Sequence, residues 1–432
     1  MKKNIFVLIV IVSIGIAVLW YWVESDKKHD TVNSETVLPV ENSLSGTDES
    51  SSQINQLSQQ QRIDDLKYMY NVLKDNYPFF GVNKRLYQVD WLSKEKEFID
   101  RVKATQSGDD FFYTLKSILS DLHNGHTNFI DKDFYNKLYT DIKSRNLATN
   151  KAWKEVLDNE KAKLRYGDPT HEKPNITTEN YVIPGNVKAD IVSEGKVAYL
   201  GISSFNTFNI EGDMKIITPF LRKVKNYKAL IIDIRGNGGG DDSYWSNNLV
   251  PLLTDKNLSC DWYFLFRGGN YAEHFIKYRL GDNYKTLLPI ENIFSEKLKN
   301  YPEETKSYFK KYMKYKKTVP SRNYVGFQGK IYLLVDKYVY SSSEMFATFA
   351  KSTRFATLVG ETTGGDGIGM EPLICVLPNS GYIFRFPNIM GLDSDGNCNE
   401  EHKTQPDIRV DTRKNDNLLK DEAVKYVLSE VK

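Results

Sequence analysis

A cluster of three serines, Ser341-Ser342-Ser343, separates two apolar stretches of different period. Ile331 to Val335 has the length and composition of a buried strand, whereas Glu344 to Ala350 places its apolar residues on one helical face. A serine at the junction of a strand and a helix has backbone N–H groups and the positive end of the helix dipole beside its hydroxyl, and both favour an oxyanion. The cluster is therefore a candidate nucleophile. The alternative is that these serines only cap the helix.

A histidine that could act as a base lies in the stretch DLHNGHT. His126 follows Gly125 at the end of a predicted helix, where the chain can turn sharply and present the imidazole. Histidine is the side chain whose pKa suits proton transfer near neutral pH. His123 and His126 could instead be a structural pair, or two metal ligands, although no HExxH pattern or nearby third ligand accompanies them. All three interpretations remain open on the spacing alone.

A run of glycines follows a second strand of the buried type. Ala229 to Ile234 predicts this strand, and Gly236-Asn237-Gly238-Gly239-Gly240 with the helix that follows completes a βα unit. The Lys-Ser/Thr pair of a phosphate loop is missing, and Asp241 and Asp242 would repel phosphate. The glycines either bring a backbone N–H close to a developing oxyanion or only make a tight turn.

The composition sets broad limits on the class of protein. The chain has 432 residues, 40% apolar and 13% aromatic, which is enough for one large or two medium domains with a substantial core. Its 58 Lys and Arg against 56 Asp and Glu give no bias towards nucleic acid. The three cysteines have neither the pairing of a disulfide framework nor the spacing of a zinc site. We expect no cofactor and no metal.

The start of the chain has the composition of a membrane anchor followed by a linker. Ile5 to Val23 is uncharged over about 19 residues, long enough to cross most of a bilayer core. The run ends in aromatic residues, as at a membrane interface, and not in a small-x-small cleavage site. We predict a cytoplasmic N-terminus over residues 1–4, an uncleaved transmembrane signal anchor over 5–23 and a flexible linker over 24–60. The rest of the chain is expected outside the cytoplasm.

Two regions of different pattern follow the linker. Residues 61–190 predict a helical N-terminal domain with an insertion, because Asp109 to Leu122 and Phe134 to about Tyr166 carry apolar residues at helical spacing. Residues 191–432 predict an α/β core, in which strands of the buried type alternate with helices. Trp262 to about Thr318 is less regular and rich in lysine, and we interpret it as a surface insertion.

Six stretches in this order resemble motifs of one family: DLHNGHT, KVAYLGISSF, ALIIDIRGNGGG, IYLLVDKYVYSSSEMFA, TLVGETTGG and QPDIRV. They are similar to motifs of the tail-specific, or C-terminal processing, proteases and their tricorn-core relatives. The resemblance covers about residues 63 to 430. It implies a serine endopeptidase with a helical N-terminal part and an α/β core of crotonase-like βα units. No peptide-binding glycine loop of a PDZ domain is found between His126 and Ala229, although many family members carry that domain.

The resemblance also implies roles for individual residues. Ser341 matches the family's nucleophile, three places before the Glu of its Ser-Glu pair, which is Glu344 here. In the processing-protease branch the base is a lysine, but Asp366 stands at that position. In the tricorn-like branch the base is a histidine of the motif matched by LHNGHT. The resemblance therefore gives His126 the role of the base.

The carboxylate and the oxyanion hole follow from the same resemblance. A glutamate shortly before the Pro-Asp motif supports the serine and histidine in the tricorn-like branch, and Glu400 lies six positions before Pro406. Glu401 is its alternative, and the glycines that relatives carry in this stretch are missing here. The oxyanion hole is expected to use the backbone N–H groups of Gly238 or Gly239 and of Ser342.

Together these features predict a membrane-tethered, extracytoplasmic serine peptidase that forms an acyl-enzyme on Ser341. A serine hydroxyl becomes a nucleophile when a neutral imidazole takes its proton and an oriented carboxylate stabilises the imidazolium. The expected partners are a peptide or protein substrate and the membrane. A catalytically inactive peptide- or ligand-binding protein on the same fold is the alternative, because the family's lysine is absent. The GxSxG motif of esterases is absent around Ser341.

Overall fold

The computed structural model describes residues 56–145, 148–169 and 181–431. The predicted cytoplasmic N-terminus, the predicted transmembrane segment and most of the predicted linker lie outside these residues. Within the described ranges, no helix combines the length and the apolar composition that a bilayer crossing requires.

Four helices come first: α1 (Gln59–Asn76), α2 (Phe80–Tyr87), α3 (Glu95–Ala104) and α4 (Gly108–Ser120). Helix α1 begins at a capping box, in which Ser58 accepts from the backbone of Gln61 and the Gln61 side chain accepts from Ser58 N–H. Trp91 is buried among these helices, where its ring stacks on Tyr70 and its Nε1 donates to the carbonyl of Ile118. The aromatic side chains between these helices belong to the main hydrophobic core.

Strand β1 (Asn128–Phe129) and three more helices follow: α5 (Lys132–Arg145), α6 (Lys151–Leu157) and α7 (Glu160–Tyr166). The stretch predicted as amphipathic helix is thus helical, interrupted by short turns. Trp153 of α6 donates its Nε1 to the carbonyl of Pro372, which belongs to the C-terminal half of the chain. This bond ties the helical part to the rest of the molecule.

From residue 187 onward, strands and helices alternate. They are β2 (Val187–Ser193), β3 (Val197–Ile202), α8 (Ile210–Lys223), β4 (Ala229–Asp233), α9 (Val250–Leu253), β5 (Leu258–Phe266), α10 (Asn270–Leu280), β6 (Leu288–Pro289), α11 (Thr305–Tyr308), β7 (Lys311–Val319), β8 (Lys330–Val335), α12 (Ser342–Thr353), β9 (Thr357–Gly360), β10 (Leu373–Val376), β11 (Ile383–Phe386), β12 (Ile389–Leu392), α13 (Asn399–His402), β13 (Ile408–Arg409) and α14 (Glu422–Glu430). The predicted α/β core is confirmed, and the predicted border between residues 190 and 191 falls inside β2.

A six-stranded sheet in the order β13-β9-β8-β4-β3-β2 forms the centre. All of its neighbours are parallel except β2, which runs antiparallel to β3. Every residue of β4 is buried, which explains why this strand is an unbroken apolar run up to Asp233. Because the carboxyl ends of parallel strands lie at the same edge, the loops that follow β4, β8 and β9 meet there.

Two antiparallel sheets flank this centre. The first has the order β12-β5-β7-β6, and its nine-residue strands β5 and β7 pair along their whole length. The interpretation of Trp262 to Thr318 as a surface insertion is therefore wrong for these strands. The second sheet has the order β1-β11-β10, in which β1 of the N-terminal part pairs with β11 and β11 pairs with β10.

One hydrophobic core runs through the helical part and the sheets, and a smaller cluster packs α14 against the opposite face of the six-stranded sheet. An ion-pair cluster anchors that helix. The buried Arg235 guanidinium lies 2.6 Å from Asp233 and 2.9 Å from Asp421, and Asp421 also caps α14. A buried charge is costly unless it is paired in this way.

Candidate active site

Ser341 lies at the turn between β8 and α12, in a backbone conformation that is rare for a residue with a side chain. Its φ is 56° and its ψ is −126°, a strained combination that surrounding structure must enforce. The Ser341 carbonyl accepts from Met345 N–H at 2.8 Å, and Ser341 N–H points to the Gly365 carbonyl at 3.4 Å. The side chain therefore stands out from the start of a helix, as a nucleophile requires, although no GxSxG motif surrounds it.

His126 lies just after α4 and bridges two functional groups. Its Nε2 is 3.1 Å from Ser341 Oγ, and its Nδ1 is 2.7 Å from Asp366 Oδ2. The backbone N–H of His126 donates to Asn124 Oδ1 at 3.0 Å, which fixes the turn that presents the ring. The ring of Tyr340 lies 4.9 Å away and packs beside it. The imidazole thus has one nitrogen on a hydroxyl and the other on a carboxylate.

Asp366, in the loop after β9, is the carboxylate that contacts His126. It too has a positive φ, 48°, and it is buried. Besides His126, its Oδ2 accepts from Asn124 Nδ2 at 2.9 Å and from the Tyr340 hydroxyl at 3.2 Å. Burial alone would raise the pKa of Asp366, but the charge and hydrogen bond of His126 and the bonds from Asn124 and Tyr340 outweigh it and hold this pKa below its ordinary value.

The glycine loop after β4 approaches the serine closely. Gly239 has a φ of +111°, and a Cβ placed on it would lie 2.9 Å from Ser341 Cβ and 3.0 Å from Ser342 N. Asn237 holds the loop, because its Oδ1 accepts from Gly239 N–H at 2.9 Å and from Ser343 Oγ at 2.6 Å. Only a glycine fits this approach without displacing the helix start.

The match to the model of peptidase family S41 spans residues 196–410 and includes the glycine loop, Ser341 and Asp366. The chain belongs to peptidase family S41. His126 lies outside the matched residues. The predicted tail-specific protease family and the predicted serine-type peptidase are confirmed.

Several solved structures share the fold. A protein from Parabacteroides merdae, solved as a candidate peptidase, superposes with a TM-score of 0.54 at 19% identity, over 85% of this chain and 96% of its own. Mature CPAF, solved in complex with lactacystin, gives 0.54 at 14% identity, over 86% and 96%. Mature CPAF solved by itself gives 0.52 at 14% identity, over 86% and 95%. None of the curated proteins compared with the chain matches it.

The S41 glycine loop and helix start present two unoccupied backbone donors. Within the described ranges, Gly238 N–H and Ser342 N–H have no hydrogen-bond partner. Gly239 N–H, the third donor expected here, is instead taken by Asn237. Of the two glycines named as alternatives, Gly238 is therefore the one with a free N–H.

Glu400, expected to be the supporting carboxylate, does not touch the histidine in this S41 peptidase. Its Oε1 accepts from Asn124 Nδ2 at 3.0 Å, so Asn124 separates it from the Asp366–His126 pair. Among the described residues, its shielded Oε2 has no partner. Burial and the neighbouring charge of Asp366 raise the pKa of Glu400 well above its ordinary value. A neutral carboxyl group is therefore favoured at this position.

Glu401, the named alternative, is engaged elsewhere. Both of its carboxylate oxygens accept from the Arg85 guanidinium at 2.7 Å, and Glu304 binds the same guanidinium. The sequence motifs do not identify Asp366 as the partner of His126, because they mark this position only by the absence of a lysine. The signal that the sequence did contain is the carboxylate that Asp366 carries.

His123, the other histidine of the motif, has a separate role. Its Nδ1 lies 3.0 Å from Asn83 Oδ1, and its ring stacks on Tyr87 at 4.1 Å. Across the described ranges, no three His, Cys, Asp or Glu side chains are grouped so as to hold a metal ion. Cys260, Cys375 and Cys398 are all buried free thiols.

Two cavities open on either side of Ser341 and His126. The first extends under Gly238 to Gly240 towards α5 and β11, and the second extends towards β5, β7 and the loop after Asp366. Both are lined by Ser341, His126 and Glu371. Open space therefore adjoins Ser341 both on the side of the glycine loop and on the side of β5 and β7.

Proposed function

We propose that this S41 peptidase hydrolyses peptide bonds through an acyl-enzyme on Ser341, with His126 as the general base and Asp366 as the residue that orients it. The observation that carries the proposal is the continuous chain of contacts from Ser341 Oγ to His126 Nε2 at 3.1 Å and from His126 Nδ1 to Asp366 at 2.7 Å. With the Nδ1 proton donated to Asp366, Nε2 is left as an acceptor for the serine proton.

The chemical steps follow from this arrangement. His126 Nε2 takes the proton of Ser341 Oγ while Oγ adds to the substrate carbonyl carbon, and the carbonyl oxygen takes the negative charge. Gly238 N–H and Ser342 N–H stabilise that oxyanion. The imidazolium then protonates the leaving amine as the C–N bond breaks, and a water activated by the same histidine hydrolyses the ester and restores Ser341.

Glu400 has a different role in this proposal. As a neutral group bonded to Asn124, it adds no second negative charge beside Asp366 and helps to hold the Asn124 amide that binds Asp366. Two adjacent buried carboxylates do not both ionise readily. Glu400 is thus a positioning residue, and the direct partner of the histidine is Asp366.

We also propose that Ile5 to Val23 tethers this peptidase to a membrane with its catalytic part outside the cytoplasm. The support is the sequence: an uncharged run of about 19 residues with aromatic residues at its far end, preceded by two lysines. The linker that follows is rich in polar residues, so it should be flexible and let the catalytic part move relative to the membrane segment.

A fluorophosphonate probe tests the catalytic assignment, because such a probe reacts with a serine that is activated and exposed. We expect the full-length protein to be labelled, and Ser341→Ala and His126→Ala to lose labelling. The matched control is Ser352→Ala, at an exposed serine near the other end of α12, which should still be labelled. No labelling of a folded wild-type protein would overturn the proposal and favour a peptide-binding protein on the same fold.

A further inference from the structure

Two cations face the first cavity beside Ser341. Arg385 of β11 is 6% exposed, and Lys137 of α5 is half-buried; both side chains line the cavity. Arg385 is held in place, because its Nε donates to Asn128 Oδ1 at 3.1 Å and its guanidinium carbon lies 4.9 Å from the centre of the Phe134 ring. These contacts leave its two terminal nitrogens available.

Among the described residues, neither cation forms a close ion pair. In that part of the chain, no carboxylate lies within ion-pairing distance of Arg385 or Lys137. Asp141 and Glu371 also line the cavity. Asp141 acts on Lys137, and the exposed Glu371 acts on both cations, from beyond ion-pairing distance. Burial lowers the pKa of both Arg385 and Lys137 by more than the surrounding carboxylates raise it.

A buried guanidinium without a carboxylate partner is costly unless a ligand supplies the anion. The cavity is continuous with Ser341 and the glycine loop, so a group bound there belongs to a substrate residue next to the scissile bond. The planar guanidinium suits bidentate binding of a carboxylate, and the lysine adds a second charge-assisted hydrogen bond.

We propose that Arg385 and Lys137 form a subsite for a carboxylate of the peptide substrate next to the scissile bond. An acidic side chain and the free α-carboxylate at a chain end present the same group. The inference rests on the proposed function, since it names the class of substrate that Ser341 cleaves.

The test is the cleavage of synthetic peptides by the full-length protein. In peptides acetylated and amidated at their ends, kcat/KM for a Glu peptide is expected to exceed that for its Gln counterpart by about 10- to 100-fold, the range of a hydrogen bond to a charged group. Arg385→Gln and Lys137→Gln should each bring this ratio towards unity. The control Arg413→Gln, at an exposed surface ion pair, should leave it unchanged.

The source of the carboxylate is decided by a third peptide. A Gln peptide with a free C-terminus is compared with the same peptide amidated, so that a preference for the free terminus identifies the α-carboxylate. Equal rates for all three peptides would overturn the proposal, as would a preference for Glu that survives in both variants.

Two further measurements keep the outcome clear. If Arg385→Gln does not fold, the test uses Lys137→Glu, at a half-buried helix position. This variant should cleave a Lys peptide faster than a Glu peptide. An unchanged preference for the Glu peptide would contradict the subsite. Binding of the Glu and Gln peptides to Ser341→Ala, followed by fluorescence anisotropy, needs no turnover. Failure of all cleavage with a retained preference in binding would refute the proposed function and leave the subsite standing.

Discussion

At the scale of residues, the site depends on two side chains in strained backbone positions. Ser341 and Asp366 both have positive φ, and each is fixed by contacts on more than one side. Strain of this kind is stored at about 1–3 kcal/mol per residue and persists where the surroundings determine the conformation. The Asn124 amide is one of the groups that fix Asp366, and it also bonds Glu400 and accepts from His126 N–H.

The two carboxylates near the histidine are expected to respond differently to substitution. Asp366→Asn replaces the acceptor of the His126 Nδ1 proton and favours the wrong tautomer, so kcat/KM should fall by about 10³- to 10⁴-fold. Glu400→Gln mimics a carboxyl group that is already neutral, and its kcat/KM should stay within about tenfold of wild type. Steady-state cleavage near pH 7 measures both. The reverse order of effects would return the orienting role to Glu400.

At this scale the sequence predicts the identity of the reactive groups better than their contacts. Ser341 and His126 could be named from motifs, because each motif carries its reactive residue at a fixed offset. The contact between Asp366 and His126 could not, since it joins two loops 240 positions apart. The positive φ of Ser341 and Asp366 could not be predicted either, because glycine is the usual sequence signal for a positive φ and neither residue is a glycine.

At the scale of elements, the site is built by loops at the carboxyl ends of β4, β8 and β9. The strands bring the glycine loop, Ser341 and Asp366 to one edge of the sheet without any of these residues being close in sequence. The length and apolar character of β4 and β8 made these strands predictable. Strands β5 and β7 could not be predicted in this way. β7 exposes lysines on one face, and its pairing partner β5 lies far away in the sequence.

The glycine loop gives a prediction at the same scale. In Gly239→Ala the new methyl group would meet Ser341 Cβ and Ser342 N at about 3 Å, and the loop must move away from the nucleophile. We expect kcat to fall by about 10²-fold or more, as when one oxyanion donor is lost.

The matched control is Gly212→Ala in α8, where nothing lies within 4 Å of the added atom. Alanine favours a helix over glycine by about 0.5–1 kcal/mol, so this variant should unfold at slightly higher denaturant concentration and keep its activity. Wild-type turnover in Gly239→Ala would show that the loop does not position the oxyanion donors.

At the scale of the whole molecule, the proposed base and the nucleophile come from different parts of the chain that share one core. His126 follows the N-terminal helices, and Ser341 belongs to the α/β core; β1 and β11 pair across the two parts beside the site. The spacing of apolar residues in the two parts predicted helices and an α/β core. That spacing could not predict the pairing of β1 with β11, because β1 has only two residues and no periodic pattern of its own.

The proposed tether gives the prediction for the whole chain. The full-length protein should remain in the membrane fraction after washing with high salt and with alkaline carbonate, because its anchor crosses the bilayer core. Removal of residues 1–23 should release the protein into the soluble fraction with the same rate of fluorophosphonate labelling. A full-length protein that leaves the membrane in carbonate would contradict the tether.

The separation of His126 from Ser341 along the chain has a consequence for biosynthesis. During translation, His126 is added to the growing chain 215 residues before Ser341. Asp366 and the edge strand β13 are added later still. While most of the chain is being synthesised, Ser341, His126 and Asp366 are therefore not yet together. Folding of the last strands completes the proposed catalytic arrangement. We therefore expect the peptidase to leave neighbouring chains uncut until its own synthesis is almost finished.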